Sequence, residues 1–208
     1  MNLVKRWRHY ARQYGVRGLV RYLALRLVRP VWSSASVMML VAEPPAAAVA
    51  ARAPIRIDLM SAEAARASGF MNPDWENRWK HGDVCYGAWL NGVCVHHSWV
   101  TRGDTYIGET KSYLAIGPDE AYIYDCFTAG ECRGMGIFPA VLSHVASALF
   151  GTGVTRVWIA VEEENRSSLK AIQKGGFRFA GEILFRKAGL SAQTTTRHEP
   201  GVPEFSLK

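Results

Sequence analysis

Residues 121–140 of this 208-residue chain read AYIYDCFTAGECRGMGIFPA: a strand-like run, a glycine-rich turn and the start of a helix that continues to Phe150. A strand, a glycine-rich loop and a helix in this order can bind phosphate. The reason is that the first N–H groups of a helix have no intrahelical partner and the helix dipole adds positive potential there. Arg133 supplies a cation beside the glycines. The loop has neither the P-loop nor the dinucleotide-binding glycine pattern.

Strand-like and helix-like segments alternate around this loop. Asn91-Gly92, between two runs with strand character at 84–90 and 93–101, predicts a β-hairpin. Further strands are predicted at 55–60, 106–116, 121–128, 155–161 and 177–186. Helices are predicted from Ser61 onward and at 73–80, 137–150 and 165–174.

Two motifs in the second half of the chain resemble the signatures of the GNAT superfamily, the Gcn5-related N-acetyltransferases. The first, Arg/Gln-x-x-Gly-x-Gly/Ala, reads Arg133-Gly134-Met135-Gly136-Ile137-Phe138 here. The second, Asn-x-x-Ala/Ser followed by Lys-x-Gly-Phe, is matched by Asn165, Ser168 and Lys174-Gly175-Gly176-Phe177. The resemblance covers 55–186 and implies an α/β fold with a mixed, mostly antiparallel sheet flanked by helices.

The resemblance implies that acetyl-CoA binds as a co-substrate, without a metal, in a notch between two strands. Main-chain groups at the splayed end of the strand 124–128 would bind the pantetheine arm, and N–H groups of 133–138 would cradle the pyrophosphate. Asn165 and Ser168 would contact the cofactor arm. The predicted cofactor-binding residues are Cys126, Phe127, Thr128, Arg133, Gly134, Met135, Gly136, Ile137, Phe138, Asn165 and Ser168.

Two positions depart from the family pattern. The final small residue of the loop motif is Phe138 here, so its side chain must point away from the pyrophosphate. Many members carry a tyrosine seven residues after the asparagine, which protonates the departing thiolate, whereas this chain has Ile172. Another group or a water must then supply that proton, or the enzyme is slow.

Acyl transfer to an amine needs a base that removes the ammonium proton. The candidates are Asp125, Glu109, Glu120, His96 and His97, and Tyr122 and Tyr124 are candidate acids in place of Ile172. We predict Asp125 and Tyr124 as the catalytic pair. The alternative for Asp125 is a carboxylate paired with a neighbouring arginine or tyrosine, and Glu120 is expected to cap a turn. In the hairpin, His96 should pair with Gly87 and His97 with Tyr86.

The predicted reaction is acetyl transfer from acetyl-CoA to a primary amine, such as an amino sugar or a surface-glycan precursor. Two alternatives remain open. One is a non-catalytic acyl-CoA-binding module, because Ile172 cannot donate a proton. The other is a transferase that uses a different acyl donor or an aminoacyl-tRNA.

The net charge of +7 is unevenly distributed along the chain. Residues 1–42 contain eight basic and no acidic residues, which leaves 17 basic and 18 acidic residues in the rest. The first thirty residues have helical amphipathic spacing and are either helices packed on the main domain or an arm that lies on anionic lipid. The near-neutral charge of the body argues against nucleic acid as a partner.

The composition predicts four segments: a basic arm at 1–42, a linker at 43–54, the acyltransferase domain at 55–187 and a disordered tail at 188–208. Four cysteines without a C-x-x-C spacing favour reduced thiols in the cytoplasm. If the arm lies on lipid, the enzyme is peripheral at the inner face of the membrane. No metal is expected: Cys85 and Cys94 lie too far apart along the hairpin to share an ion with His96.

Overall fold

The computed structural model describes residues 32–70 and 73–208, so the predicted arm helices lie outside the described residues. Its strands are β1 Trp32–Ala42, β2 Ile55–Leu59, β3 Val84–Leu90, β4 Val93–Thr101, β5 Thr105–Ile107, β6 Ser112–Ala115, β7 Glu120–Thr128, β8 Arg156–Glu162, β9 Arg178–Ala188, β10 Ser191–His198 and β11 Ser206–Leu207. Its helices are α1 Ala62–Ser68, α2 Trp75–Lys80, α3 Ile137–Phe150 and α4 Arg166–Lys174, with a 3-10 turn at Gly130–Cys132. Within the described residues, no helix has the length and apolar character needed to cross a bilayer.

Eight strands form one large sheet in the order β10-β9-β1-β8-β7-β4-β3-β2. Among them β7 and β8 run parallel, and the other neighbouring pairs are antiparallel. A second sheet, in the order β11-β6-β5, is antiparallel throughout. The predicted mixed, mostly antiparallel sheet flanked by helices is therefore confirmed.

Different elements cover the two faces of the large sheet. Successive residues of a strand point to opposite faces, and Tyr122 and Ile123 of β7 accordingly lie in separate buried clusters. Ile123 packs in the cluster that contains Val141 of α3. Tyr122 packs in the cluster covered by the small sheet, and Tyr124 connects that cluster with the one around Trp75 of α2. Helices α3 and α4 thus lie on one face, and α1, α2 and the small sheet on the other.

Strand β1 lies in the interior of the sheet, which corrects the predicted boundary of the arm at residue 42. It pairs with β8 from Val37↔Glu162 onward and with β9 from Trp32↔Ala188 onward. Met39, Leu40 and Val41 are fully buried. A strand covered on both faces reads as a short apolar run, and the sequence pattern does not show which strands lie beside it.

The predicted linker 43–54 is a packed connection between β1 and β2. The Ser143 hydroxyl of α3 donates to the Ala47 carbonyl and accepts a hydrogen bond from the Val49 N–H at 3.2 Å. The Arg52 N–H donates to the Met135 carbonyl in the glycine-rich loop at 2.9 Å. The connection therefore runs along α3 to the loop that precedes that helix.

The prediction of a disordered tail is wrong. Strand β10 pairs with β9 over its whole length, and β11 pairs with β6. Phe205, between them, is buried against Trp158. Strand β10 is an edge strand held by main-chain hydrogen bonds, and its side chains are mostly exposed. Because exposed positions favour polar residues, its composition resembles that of a disordered segment.

The predicted hairpin is confirmed: Asn91 and Gly92 have φ of 52° and 81°, the left-handed values of a type I′ turn. A register shift between Ala88 and Trp89 moves the pairing by one residue, so His96 faces Ala88 and His97 faces Gly87. The predicted pairs with Gly87 and Tyr86 are therefore wrong. The single strand predicted at 106–116 is the hairpin of β5 and β6.

Candidate active site

A notch opens in the sheet where β7 and β8 part. These strands pair at four positions, from Glu120↔Arg156 to Ile123↔Ile159. Beyond Ile123, β7 continues along β4 alone, from Trp99↔Tyr124 to His96↔Thr128. The edge of β7 that faced β8 therefore lacks a strand partner over 124–128, the stretch for which the resemblance implies a splayed end. Main-chain groups there can bind a ligand.

The glycine-rich loop ends at the start of α3 with free main-chain donors. Gly134 and Gly136 have φ of 80° and 75°, a left-handed conformation that favours glycine. Gly136 is the N-cap of α3 and provides no side-chain hydrogen bond to the first turn. The N–H groups of Ile137 and Phe138 therefore remain available to an anion, and Pro139 has none.

Arg133 and Phe138 attach the loop to the rest of the site. The Nε–H of Arg133 donates to the Thr128 carbonyl at 3.2 Å, and its guanidinium lies 5.8 Å from the centre of the Phe127 ring. Phe138 packs against the core, with its ring 5.6 Å from that of His96. Its bulk therefore lies against the core beneath the helix start.

Asn165 is the N-cap of α4. Its Oδ1 accepts hydrogen bonds from the Ser168 N–H at 3.2 Å and from the Ser167 hydroxyl at 3.1 Å. Asn165 is exposed and Ser168 is half-buried. The side-chain N–H groups of Asn165 are not used by this cap.

Asp125 carries an ion pair. Its Oδ2 lies 2.5 Å from Nη1 of Arg78, and its Oδ1 lies 4.0 Å from Nε2 of His97. Burial alone would raise the pKa of Asp125, but the His97 imidazole and the Arg78 guanidinium lower it to about 2. A carboxylate with such a low pKa is a weak base. The geometry matches the alternative that the carboxylate is paired with a neighbouring arginine.

The hydroxyl of Tyr124 is engaged by a carboxylate. It donates to Oδ2 of Asp83 at 2.5 Å. Burial and the Asp83 carboxylate raise the pKa of Tyr124 well above its usual range. Its proton is therefore directed at Asp83, and the group is poorly suited to protonate a thiolate.

A cavity of about 350 Å³ lies beside the notch, on the face covered by the small sheet. Three of its lining residues are acidic, namely Glu109, Asp125 and Glu162. Its wall also contains Val37, Thr105, Tyr106, Ile107, Gly108, Tyr122, Tyr124, Ala160 and Val161. Acidic groups around a concave site favour a cationic ligand.

The sequence model of the acetyltransferase (GNAT) family matches residues 57–177, more than half of the chain. The chain belongs to the GNAT family. No curated protein matches it.

Solved GNAT structures share the fold. An acetyltransferase from Colwellia psychrerythraea is 18% identical, with 82% of this chain and 62% of that protein covered, at a TM-score of 0.53. A GCN5-related N-acetyltransferase from Sphaerobacter thermophilus is 14% identical, with 84% and 57% covered, at a TM-score of 0.56. The present chain thus spans less than two thirds of the length of either protein.

Within this GNAT fold, Ile172 and Glu120 are both unsuited to proton transfer at the notch. Ile172 is buried in the core, so nothing at that position can donate a proton. Glu120 accepts from the Gly117 N–H at 3.0 Å and from Arg156 at 2.9 Å, as the turn-capping expectation requires. These residues line a separate cavity of about 340 Å³ at the opposite end of β7.

The two adjacent histidines are buried. His96 contacts the Thr128 hydroxyl through Nδ1 at 2.7 Å and the Ser98 hydroxyl through Nε2 at 2.8 Å. Burial and the neighbouring His97 lower the pKa of His96 to about 3, so its ring is neutral. Among the described residues, the buried Nδ1 of His97 has no hydrogen-bond partner.

In the part of the GNAT chain that the structure describes, no cluster of three His, Cys, Asp or Glu side chains could hold a metal ion. The four cysteines are free thiols. Tyr106 and Glu162 line the acidic cavity but are not predicted from the sequence. The position of Glu162, as a polar residue at the end of a predicted strand, could have indicated it. No local sequence pattern shows that the β5–β6 hairpin, which carries Tyr106, lies at the notch.

Proposed function

We propose that this GNAT protein transfers an acetyl group from acetyl-CoA to a primary amine held in the acidic cavity. The parting of β7 and β8 after Ile123 carries the proposal, because it opens the sheet between the glycine-rich loop and the cavity. A molecule with a phosphate end and a reactive acyl end can then place the phosphate at the glycine-rich loop and the acyl group at the cavity. The family membership supports acetyl-CoA as this co-substrate.

The residues around the notch fit the parts of acetyl-CoA. The free N–H groups of Ile137 and Phe138, with Arg133 nearby, suit the pyrophosphate. The unpaired edge of β7 over 124–128 suits the amide groups of the pantetheine arm, and the side-chain N–H groups of Asn165 are free to contact the same arm.

Glu109 replaces Asp125 as the proposed general base. It lines the cavity, and within the described residues no hydrogen bond or ion pair engages it. After deprotonation, the amine nitrogen attacks the thioester carbonyl, a C–N bond forms, and the C–S bond breaks to release CoA as the thiolate. Main-chain N–H groups of the β7 edge stabilise the oxyanion of the tetrahedral intermediate.

Tyr122 replaces Tyr124 as the proposed acid that protonates the thiolate. It also lines the cavity, and no hydrogen bond within the described residues engages its hydroxyl. Burial raises the pKa of Tyr122, which weakens it as an acid but keeps the hydroxyl protonated at neutral pH until the thiolate forms. The nitrogen of the tetrahedral intermediate loses a second proton, which solvent relays to the Tyr122 phenolate, and Glu109 releases the first proton to solvent, so the protons balance.

An amino sugar or a glycan precursor is the acceptor class that we propose. Tyr106 at the cavity is about half exposed, and its ring lies 5.1 Å from that of Tyr113. Exposed aromatic rings stack on the C–H faces of sugars, while the acidic cavity suits the ammonium group. The basic segment 1–30 supports the further proposal that the enzyme works at an anionic membrane surface.

Release of CoA from acetyl-CoA across a panel of amines, including amino sugars, tests the proposal. The wild-type protein should form one acetylated amine per CoA released. We expect Glu109→Gln to lower kcat about 100-fold or more while CoA affinity stays unchanged. The exposed Glu199 lies outside the cavity, so Glu199→Gln is the matched control.

Three results would contradict this function. CoA binding without turnover of any amine would favour the non-catalytic acyl-CoA-binding module, the alternative motivated by the buried Ile172. No binding of CoA would overturn the assignment of the loop. Turnover with an aminoacyl or longer acyl donor alone would move the enzyme to a different donor class.

A further inference from the structure

We propose that Arg78 and Asp125 are positioning residues, which together hold the backbone of β7 in the bulged conformation that forms the notch. The proposal rests on the proposed acetyl transfer for its kinetic consequences. It assigns Asp125 a role through the main chain, in place of the predicted role as a base.

The bulge lies at the notch. His97 pairs with Phe127 and Trp99 with Tyr124, so the two residues Asp125 and Cys126 face the single residue Ser98. Asp125 has a φ of 45°, which is uncommon for a residue other than glycine. The bulge begins two residues after the last pair between β7 and β8. It therefore sets the direction of the main-chain groups along the open edge.

Arg78 holds this bulge from outside the sheet. Its Nη1 lies 2.5 Å from the Asp125 carboxylate, and its Cζ lies 5.0 Å from the ring centres of both Trp99 and Tyr124. These two aromatic residues are the pair that precedes the bulge. The Arg78 side chain is only 23% exposed, so water competes poorly for the ion pair.

Other contacts support the same segment. His97 Nε2 faces the second carboxylate oxygen of Asp125 at 4.0 Å, and the Ser98 hydroxyl donates to Sγ of Cys126 at 3.1 Å. Each residue of the bulge is thus held by a side chain from another strand or helix. Loss of the ion pair would allow Asp125 to relax toward ordinary strand dihedral angles, and the oxyanion donors would then be misaligned.

The proposal is tested by comparing substitutions that remove the ion pair with ones that keep a hydrogen bond and tolerate the positive φ at residue 125. We expect Arg78→Ala and Asp125→Ala to lower kcat about 10- to 100-fold, because the oxyanion donors are misaligned, and to raise the KM for acetyl-CoA, because the same edge binds the pantetheine arm. Asp125→Asn should lose about fivefold or less, because asparagine tolerates a positive φ and can accept from Arg78. Arg78→Lys should recover part of the lost kcat, and the pH profile of kcat/KM should not move.

The surface pair of Arg66 and Glu76 offers a matched control, since Arg66 is 59% exposed and lies on α1. Arg66→Ala should change neither kcat nor KM. A loss of 100-fold or more in Asp125→Asn, about what loss of a general base costs, would overturn the proposal.

Amide hydrogen exchange gives a readout that does not depend on turnover. Exchange over 124–128 should accelerate in Arg78→Ala and stay unchanged in Arg66→Ala, while the melting temperature of both variants is recorded. Unchanged exchange in Arg78→Ala would overturn the positioning role. If the wild-type protein acetylates no amine, the proposed function fails, and the exchange measurement still decides this inference.

Discussion

At the residue scale, Gly136 has the backbone conformation that the loop requires. An added Cβ would lie 3.7 Å from Ala51 Cα and from the Arg52 nitrogen, so space is available, but φ is 75°. We expect Gly136→Ala to lower the free energy of unfolding by about 1–2 kcal/mol, the cost of a left-handed residue other than glycine. CoA affinity, measured by titration calorimetry, should fall about tenfold, equivalent to about 1.4 kcal/mol.

Gly130 is the matched control for this substitution. It lies in the same loop, with no atom within 4 Å of a built Cβ and with a φ outside the left-handed region. Gly130→Ala should leave CoA affinity unchanged. Equal affinity in the two variants would show that the loop conformation does not matter for binding.

His96 makes stability depend on pH. Its pKa is lowered to about 3 in the folded protein by burial and by His97, against 6.5 for the free side chain. The unfolded chain therefore binds a proton that the folded protein excludes as the pH falls from 6.5 toward 3, and stability falls with it. The slope should approach about 1.4 kcal/mol per pH unit below pH 6.

Urea unfolding at pH 7, 6 and 5 measures this effect. His96→Gln should show a shallower loss of stability, because glutamine does not titrate. The pKa of Asp125 is lowered to about 2 from 3.8, so its contribution to stability is lost only as the pH falls from 3.8 toward 2. This range lies below the pH values of the urea measurement. Identical slopes in the wild-type protein and His96→Gln would contradict the prediction.

At the scale of elements, the C-terminal segment contributes to the core through Phe205. Its ring lies 6.1 Å from that of Trp158 and 4.5 Å from that of His198. Phe205→Ala should lower the free energy of unfolding by about 3 kcal/mol, as for other buried aromatic residues. Leu190→Ala, at an exposed site in the same segment, should change it by less than about 0.5 kcal/mol. Equal effects of the two substitutions in urea unfolding would indicate that the tail is not packed.

Because β1 lies inside the sheet, two N-terminal truncations should differ strongly in their effect on stability. Deletion of 1–31 leaves every described strand in place, whereas deletion of 1–42 removes the strand between β9 and β8. We expect the shorter deletion to keep the cooperative thermal transition and the longer one to abolish it, since β9 and β10 would lose their connection to the sheet. Circular dichroism during heating distinguishes the two. Cooperative melting of the longer deletion would show that β1 is dispensable.

At the scale of the whole molecule, the basic excess and the proposed chemistry belong to different segments. All eight basic residues of 1–42 lie before residue 30, and the rest of the chain carries 17 basic and 18 acidic residues. A segment of this kind gains about 1 kcal/mol per basic residue at an anionic surface, and salt weakens the attraction.

Vesicle sedimentation tests the proposed membrane contact. The full chain should bind phosphatidylserine vesicles at least about tenfold better than phosphatidylcholine vesicles, and added salt should reduce the difference. Deletion of 1–31, which keeps β1, should remove this preference without changing CoA affinity. Equal partition of the full and shortened chains would rule out lipid binding by the arm.

The sequence alone determines the features that depend on neighbouring residues. The hairpin turn at Asn91-Gly92 and the helix Ile137–Phe150 both lie at their predicted positions. Asn165, in the second family motif, is a helix N-cap. Each depends on local backbone preferences or on hydrogen bonds within one turn, and such interactions leave a recognisable pattern over a few residues.

Only the tertiary structure decided which distant segments meet. It placed β1 between β8 and β9, paired β10 with β9, and joined Arg78 to Asp125 across 47 positions of sequence. It also assembled the acidic cavity from β1, β7, β8 and the β5–β6 hairpin. These contacts arise because buried faces and unpaired strand edges must find partners, and a local pattern shows that a partner is needed without showing which segment supplies it.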